Sequence, residues 1–340
     1  MPGFYPLTFT PIYKHKLWGG RRFATLFGRD LPSGGNIGEA WEICDRGEDV
    51  SVVAAGELAG LTLRQLREQY PEELLGEQAA EHRERFPLLL KFIDAEQKLS
   101  MQVHPDDRYA LRHEQDQGKC EAWYVVDAMP DAVITRDFRA GMTKEKVIKA
   151  TQSGRFESIV NTFPVQKGDA IFVPPGTVHG IGGGTVIAEI QQNSDITYRV
   201  YDYNRTDQHG KKRELHVSKA LEIISFRDIG PSKVKPVRIN ALHHRLVMCD
   251  YFTMHVYDFR EPIHEFSVRR FRILCNVEGH GTIISPEGLY EDVDFHPGTV
   301  VLIPAAVKDF SLVPATRCRM LDIIPGKIML KRGRRNASSV

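Results

Sequence analysis

The sequence predicts a mainly β chain made of two related β-barrels with a small helical insertion, and three observations carry that expectation. Residues 166–205 read as strands broken by turns. An apolar, β-prone run at Asp169–Val173 stops at Pro174, Pro175 and Gly176, and the glycine-rich reversal GIGGG at 180–184 leads into a second run. Next, KLSMQVHPDD at 98–107 alternates with period two: Leu99, Met101 and Val103 point one way, Ser100, Gln102 and His104 the other. Finally, GDAIFVPPGTVH at 168–179 recurs as GTVVLIPAAVKD at 298–309, with Gly168 matching Gly298 and Pro174 matching Pro304. Asp309 takes the place of His179 in the second copy, so one barrel is armed and the other blunted.

A chain of 340 residues suits two domains, expected at 1–235 and 236–340, with a Pro-rich linker at 230–237 and the insertion at about 61–85. With 45 basic against 44 acidic side chains, no global field draws in nucleic acid or an anionic membrane. The basic KRGRRN at 331–336 reads as a solvated tail. Five cysteines without a close CxxC pair suit free thiols in a reducing, cytoplasmic setting. Neither export nor membrane insertion is expected from the N-terminal text or from the lengths of the apolar runs, and composition leaves the oligomeric state open.

Along the chain, NIGEAWEIC at 36–44 reads as a covering strand whose Glu39 and Glu42 are either solvated charges or pocket residues. Thr62 with Gln65 three positions on forms a capping box that opens a helix, and the Glu-, Gln- and Arg-rich text to Arg85 suggests that the insertion lies on the surface. FPLLLKFID at 86–94 is a buried strand. In GKCEAWYVVDA at 118–128, Lys119, Glu121 and Trp123 share a face. Helices are expected in 143–154 and 214–226.

The chemistry gathers at the polar faces and ends of strands in the armed barrel. Gln102, His104, Glu121 and His179 offer two imidazoles, a carboxylate and an amide oxygen, a set that suits zinc with one position left open. Nickel, cobalt, iron or manganese would fit as well. Glu189 shares a side with Gln191 and Asn193, and a carboxylate inside the apolar run VIAEIQQ needs a partner or a task. Lys119 is either a proton-transfer group beside Glu121 or a snorkelling surface lysine. Arg199 either grips a phosphate or an oxyanion, or pairs with Asp195 or Asp202.

The blocks LSMQVHPDD, GKCEAWYVV, VPPGTVHGIGGG and EIQQNSDITYRVYDYNR, in that order, resemble type I phosphomannose isomerase, the metal-dependent cupin enzyme that interconverts mannose 6-phosphate and fructose 6-phosphate. With NIGEAWEIC before them and RELHVSKALEII after, the resemblance covers most of residues 36–226. It implies a bicupin of the short bacterial form, with one zinc ion held by Gln102, His104, Glu121 and His179. It also implies acid/base and substrate-handling roles for Lys119, Glu189 and Arg199, with Ser100 near the sugar phosphate. Cys120 stands where the family commonly has Thr or Pro. The alternatives are a metal cupin isomerase of another sugar phosphate and a sugar-sensing cupin without turnover.

Overall fold

The structure is a computed structural model, and it describes residues 3–206, 210–227, 229–266 and 269–326. The basic segment at 331–336 lies outside the described residues. The chain is mainly β, as the sequence predicts, and its sheets repeat. In the first half a six-stranded sheet runs in the order Ala170–Val173, Glu121–Ala128, Thr185–Gln192, Leu88–Ala95, Ile12–Gly20 and Ile37–Ile43. Its partner sheet runs Val160–Pro164, Val133–Phe138, His179–Ile181, Met101–Val103 and Tyr198–Tyr201.

The second half repeats the spatial order of the first four strands of the six-stranded sheet. Val300–Ile303, Arg272–Glu278, Cys318–Pro325, Phe252–Phe259, His243–Met248 and Val237–Arg238 lie side by side. Opposite them stand Val293–Phe295, Gly281–Ile284, Asp309–Pro314 and Ile263–Phe266. The repeat read from residues 168–179 and 298–309 is therefore a repeat of strand order. In each copy, the strand after the matched glycine pairs with the strand that carries the site face.

Two features tie the halves together. Leu7–Thr10 pairs with Val300–Ile303, so the N-terminal strand extends the second half's sheet, and a cut at residue 235 does not separate the sheets cleanly. The helical insertion differs from its expectation in the same way. Thr62 does make the capping box with Gln65, but Leu63, Leu66, Leu74 and Leu75 are fully buried in a core that also holds Phe252, Phe271 and Ile273. Ala305 and Ala306 donate backbone hydrogen bonds to Leu74 and Glu73. The insertion is a wedge between the halves, because its apolar stripe needs cover and both halves supply it, with Val53, Leu58 and Phe86 on one side and Phe252, Phe271 and Ile273 on the other.

Candidate functional site

The alternation expected over 99–104 is observed in the strand Met101–Val103, while Leu99 precedes the strand and packs in a separate cluster with Trp123 and Ile187. Met101 and Val103 enter an apolar cluster with Tyr198 and Val200, while Gln102 on the opposite face lies directly across from both His179 and Arg199 in strand register. Glu121 opens its strand and is paired with Val173 and Gln191. The Pro174-Pro175-Gly176 turn then fixes the two histidine loops. Gly176 adopts φ 82°, and a Cβ there would come within 2.9 Å of the Ile223 carbonyl, so glycine alone fits. Its N–H donates to the carbonyl of His104 at 2.8 Å.

His104, Glu121 and His179 converge with their ligand atoms within 4.8 Å of one another, all three buried. His104 Nε2 lies 3.3 Å from Glu121 Oε1, and His179 Nε2 lies 3.7 Å from Glu121 Oε2. The far side of each ring is fixed: His104 Nδ1 donates to the Ile196 carbonyl at 2.7 Å and His179 Nδ1 to the Thr177 carbonyl at 2.9 Å. That tautomer leaves each Nε2 as a bare lone pair aimed at the carboxylate. Both Nε2 atoms and Glu121 Oε2 are buried without a hydrogen bond. Burial, aided by the neighbouring ring, lowers the His179 pKa to about 3, and burial and the Lys119 ammonium lower that of His104. Against the effect of its burial, the Lys119 ammonium holds Glu121 well below the carboxylate range, so it stays ionised. Two neutral imidazoles and one carboxylate with orphaned atoms form a donor set that a divalent cation satisfies.

The other expected residues gather around this centre. Lys119 is buried rather than snorkelling, with Nζ 2.9 Å from Glu121 Oε1. Glu189 is buried and meets Lys91 Nζ at 3.0 Å; burial and the field of Glu121 raise its pKa against the pull of Lys91. Ser100 accepts from Arg199 Nε at 3.3 Å. Arg199 Nη1 donates to the Glu214 carbonyl, and no carboxylate among the described residues lies within ion-pair distance of it. Asp202 is instead occupied by Arg205 and Arg213. Of the side-chain row at 189, 191 and 193, only Glu189 pairs with a charge here. Gln191 caps local carbonyls, and Asn193 donates to the carbonyls of Asp45 and Phe86.

Lys91, Arg205 and Arg213 escape a reading by sequence, and the choice left open for Glu39 and Glu42 is settled against solvation. Lys91 sits in the middle of FPLLLKFID; a single cation in a fully buried strand was the available signal. Glu39 and Glu42 are not solvated: Glu39 bonds Trp41 Nε1 at 2.7 Å and lies 3.3 Å from Lys16, and Glu42 pairs with Arg29. Arg205 and Arg213 both pair with Asp202 and lie close enough to Arg199 for their charges to act on it.

The second half carries different side chains at the counterpart positions. Arg272 pairs with Ile303 as Glu121 pairs with Val173, so it occupies the counterpart of Glu121. Asp322, between Leu274 and His255, is the counterpart of Glu189 between Trp123 and Lys91. Arg272 makes a bidentate pair with Asp322 at 3.0 and 2.9 Å and also reaches Glu265 at 2.9 Å. A guanidinium there supplies the positive charge permanently and leaves no place for a cation.

Fold and centre together define a mainly β protein with a buried His–His–Glu centre of the metal-binding kind. The family model of the type I phosphomannose isomerase catalytic domain matches residues 7–146. Mannose-6-phosphate isomerase ManA of Bacillus subtilis (strain 168) is 37% identical over 323 residues, 92% of this chain and 97% of that protein. The chain belongs to the type I phosphomannose isomerase family. The crystal structure of the mannose 6-phosphate isomerase from Bacillus subtilis is 31% identical and matches with a TM-score of 0.85 over 94% of this chain and 99% of its own. A mannose 6-phosphate isomerase bound with zinc and yttrium shares the fold at 16% identity, with a TM-score of 0.76 over 95% of this chain and 100% of its own.

Proposed function

We propose that this chain interconverts mannose 6-phosphate and fructose 6-phosphate in the cytoplasm, using one zinc ion held by Gln102, His104, Glu121 and His179. The observation that carries this is the set of orphaned Nε2 and carboxylate atoms at the centre with a second buried carboxylate, Glu189, on a neighbouring strand. A divalent cation there acts, when bound, as a Lewis acid toward sugar oxygens and lowers the cost of the enediol's negative charge. Moving a proton between C1 and C2 needs a base that can also return the proton. Glu189 suits that task, since its raised pKa narrows the gap between holding and releasing it. Lys91 holds the Glu189 carboxylate in place, and Lys119 stands on the other side of Glu121 as the second group able to move a proton.

Arg199 and Ser100 anchor the phosphate, and the nearby Arg205 and Arg213 add positive field. Free, unpaired cysteines support the cytoplasmic assignment, and no helix among the described residues is long and apolar enough to cross a membrane. The repeated sheet order supports two cupin-like barrels, with Leu7–Thr10 crossing the boundary at residue 235 to join the second half's sheet. Isomerase assays on mannose 6-phosphate and glucose 6-phosphate, paired with metal analysis before and after chelation, test this. Activity on the mannose sugar that is lost with zinc and restored by it is expected; turnover that survives complete metal removal overturns the assignment.

A further inference from the structure

We propose that His216 is the positioning residue for Arg199: it completes the open edge of the strand Tyr198–Tyr201 and so sets where the Arg199 guanidinium stands beside Ser100. The effect on catalysis rests on the assignment of Arg199 to the sugar phosphate made above. The hydrogen bonds that make the lock do not.

Tyr198–Tyr201 is the last strand of its sheet and pairs on one side only, with Met101–Val103. An edge strand leaves alternate N–H and C=O groups without a ladder partner. At Arg199 both of these groups are taken by one residue. The Arg199 N–H donates to His216 Nδ1 at 3.2 Å, and the His216 N–H donates to the Arg199 carbonyl at 2.7 Å. A main-chain donor and a side-chain acceptor on the same residue thus replace the two hydrogen bonds that a neighbouring strand would supply.

The support falls where the sheet's own support breaks. The register of this strand against Met101–Val103 shifts between Arg199 and Tyr201, so the ladder is interrupted directly after Arg199. Arg199 Nη1 also donates to the Glu214 carbonyl at 2.9 Å, and residues 214–216 therefore hold the same arginine by its main chain and by its guanidinium. An arginine side chain is long and loses much rotamer freedom when it is placed, so a fixed backbone beneath it lowers the cost of keeping the guanidinium at Ser100.

The bond also fixes the imidazole. To accept at Nδ1 the neutral ring carries its proton on Nε2, the reverse of the arrangement at His104 and His179. Glu214 suits this tautomer, with its carboxylate 4.0 Å from His216 Nε2. The histidine directly precedes the helix Val217–Ile223, whose Ala220 is buried in one apolar cluster with Met101, Val103 and Tyr198. Helix and strand are thus seated on the same core, and His216 stands at the joint between them.

The test compares His216→Asn, His216→Phe and His216→Gln in the full chain supplied with zinc. Asparagine puts an amide oxygen where Nδ1 stands, glutamine puts it one bond further out, and phenylalanine keeps a ring and removes the acceptor. The expected result is a rise in KM for mannose 6-phosphate of about tenfold in the Phe and Gln variants, with kcat less affected, and a return to within about twofold of the parent in His216→Asn. In an Arg199→Ala background His216→Phe should add no further loss of kcat/KM; an equal loss there overturns the proposal. Folded His216→Phe with the parent's KM overturns it too, as does a His216→Asn variant as impaired as His216→Phe. Amide hydrogen exchange at Arg199 reads the lock apart from activity: protection in the parent and in His216→Asn, lost in His216→Phe, is expected, and fast exchange in the parent overturns the lock. Arg199→Ala with undiminished kcat/KM counts against the role given to Arg199 alone, since the exchange result stands without it.

Discussion

Lys91 Nζ lies 3.0 Å from Glu189 Oε1 on adjacent strands in direct register, and neither side chain exceeds 5% exposure. Two charges withdrawn from water on facing strands of a core sheet are costly unless paired. Glu39 Oε2, 3.9 Å from the same ammonium, extends the pair to a second carboxylate. The ammonium thereby sets the position of a carboxylate that faces the metal-type centre.

Glu189→Gln keeps the shape of the side chain and removes its basicity. Turnover is expected to fall about 10²-fold or more while bound metal stays constant; near-normal turnover would remove Glu189 from the reaction. Lys91→Met leaves two buried carboxylates short of a cation and should cost about 3–5 kcal/mol in urea unfolding. The double variant Lys91→Met with Glu189→Leu should recover much of that stability and none of the activity, which separates the two contributions.

Arg199 has Ser100 and a backbone carbonyl as partners and no ion-paired carboxylate among the described residues, so its charge is available to a ligand. Arg199→Ala should lower kcat/KM by about 10²-fold with a raised KM for the sugar phosphate. An unchanged kcat/KM would mean that the guanidinium serves only to pin the Glu214 backbone.

Arg272 is the keystone of the second half, where it neutralises Asp322 inside the sheet. Truncation to alanine strands that carboxylate and should destabilise the fold by about 3–5 kcal/mol. The folded fraction should retain its kcat, because the residue lies in the half without the His–His–Glu centre. A loss of kcat that exceeds the loss of folded protein would contradict the division of labour between the halves.

Asp258 is gripped by the Arg317 guanidinium at 2.7 Å on both oxygens and by Arg319 at 2.7 Å, which lowers its pKa to about 2 from 3.8. A folded-state value below the unfolded one means that the unfolded chain takes up protons first as the pH falls. The stabilisation is therefore complete above pH 3.8 and lost as the pH falls through about 2. Parent and Asp258→Asn should differ in Tm at pH 6 and converge toward pH 2; a gap that widens in acid would refute the pairing.

Local pattern carried much of this protein. Period-two alternation placed Gln102 and His104 opposite Met101 and Val103, Pro and Gly marked the turn before His179, and the repeated GDAIFVPP and GTVVLIPA segments announced a repeat of strand order in the two halves. These features are legible because a strand's side-chain direction and a turn's residues depend on a few neighbouring positions.

What residues far apart do to one another was decided only in three dimensions. Neither the Lys91–Glu189 pair, nor the burial of Glu39 and Glu42, nor the seating of the helical insertion between the halves follows from local text. Each depends on which strands become neighbours and how deep they lie, and burial is what turns a charged side chain from a solvated group into one that must find a partner. The amino-acid order thus determined which side chains face the centre of the first half. Tertiary packing decided which of them are stripped of water, and so which of them can do chemistry.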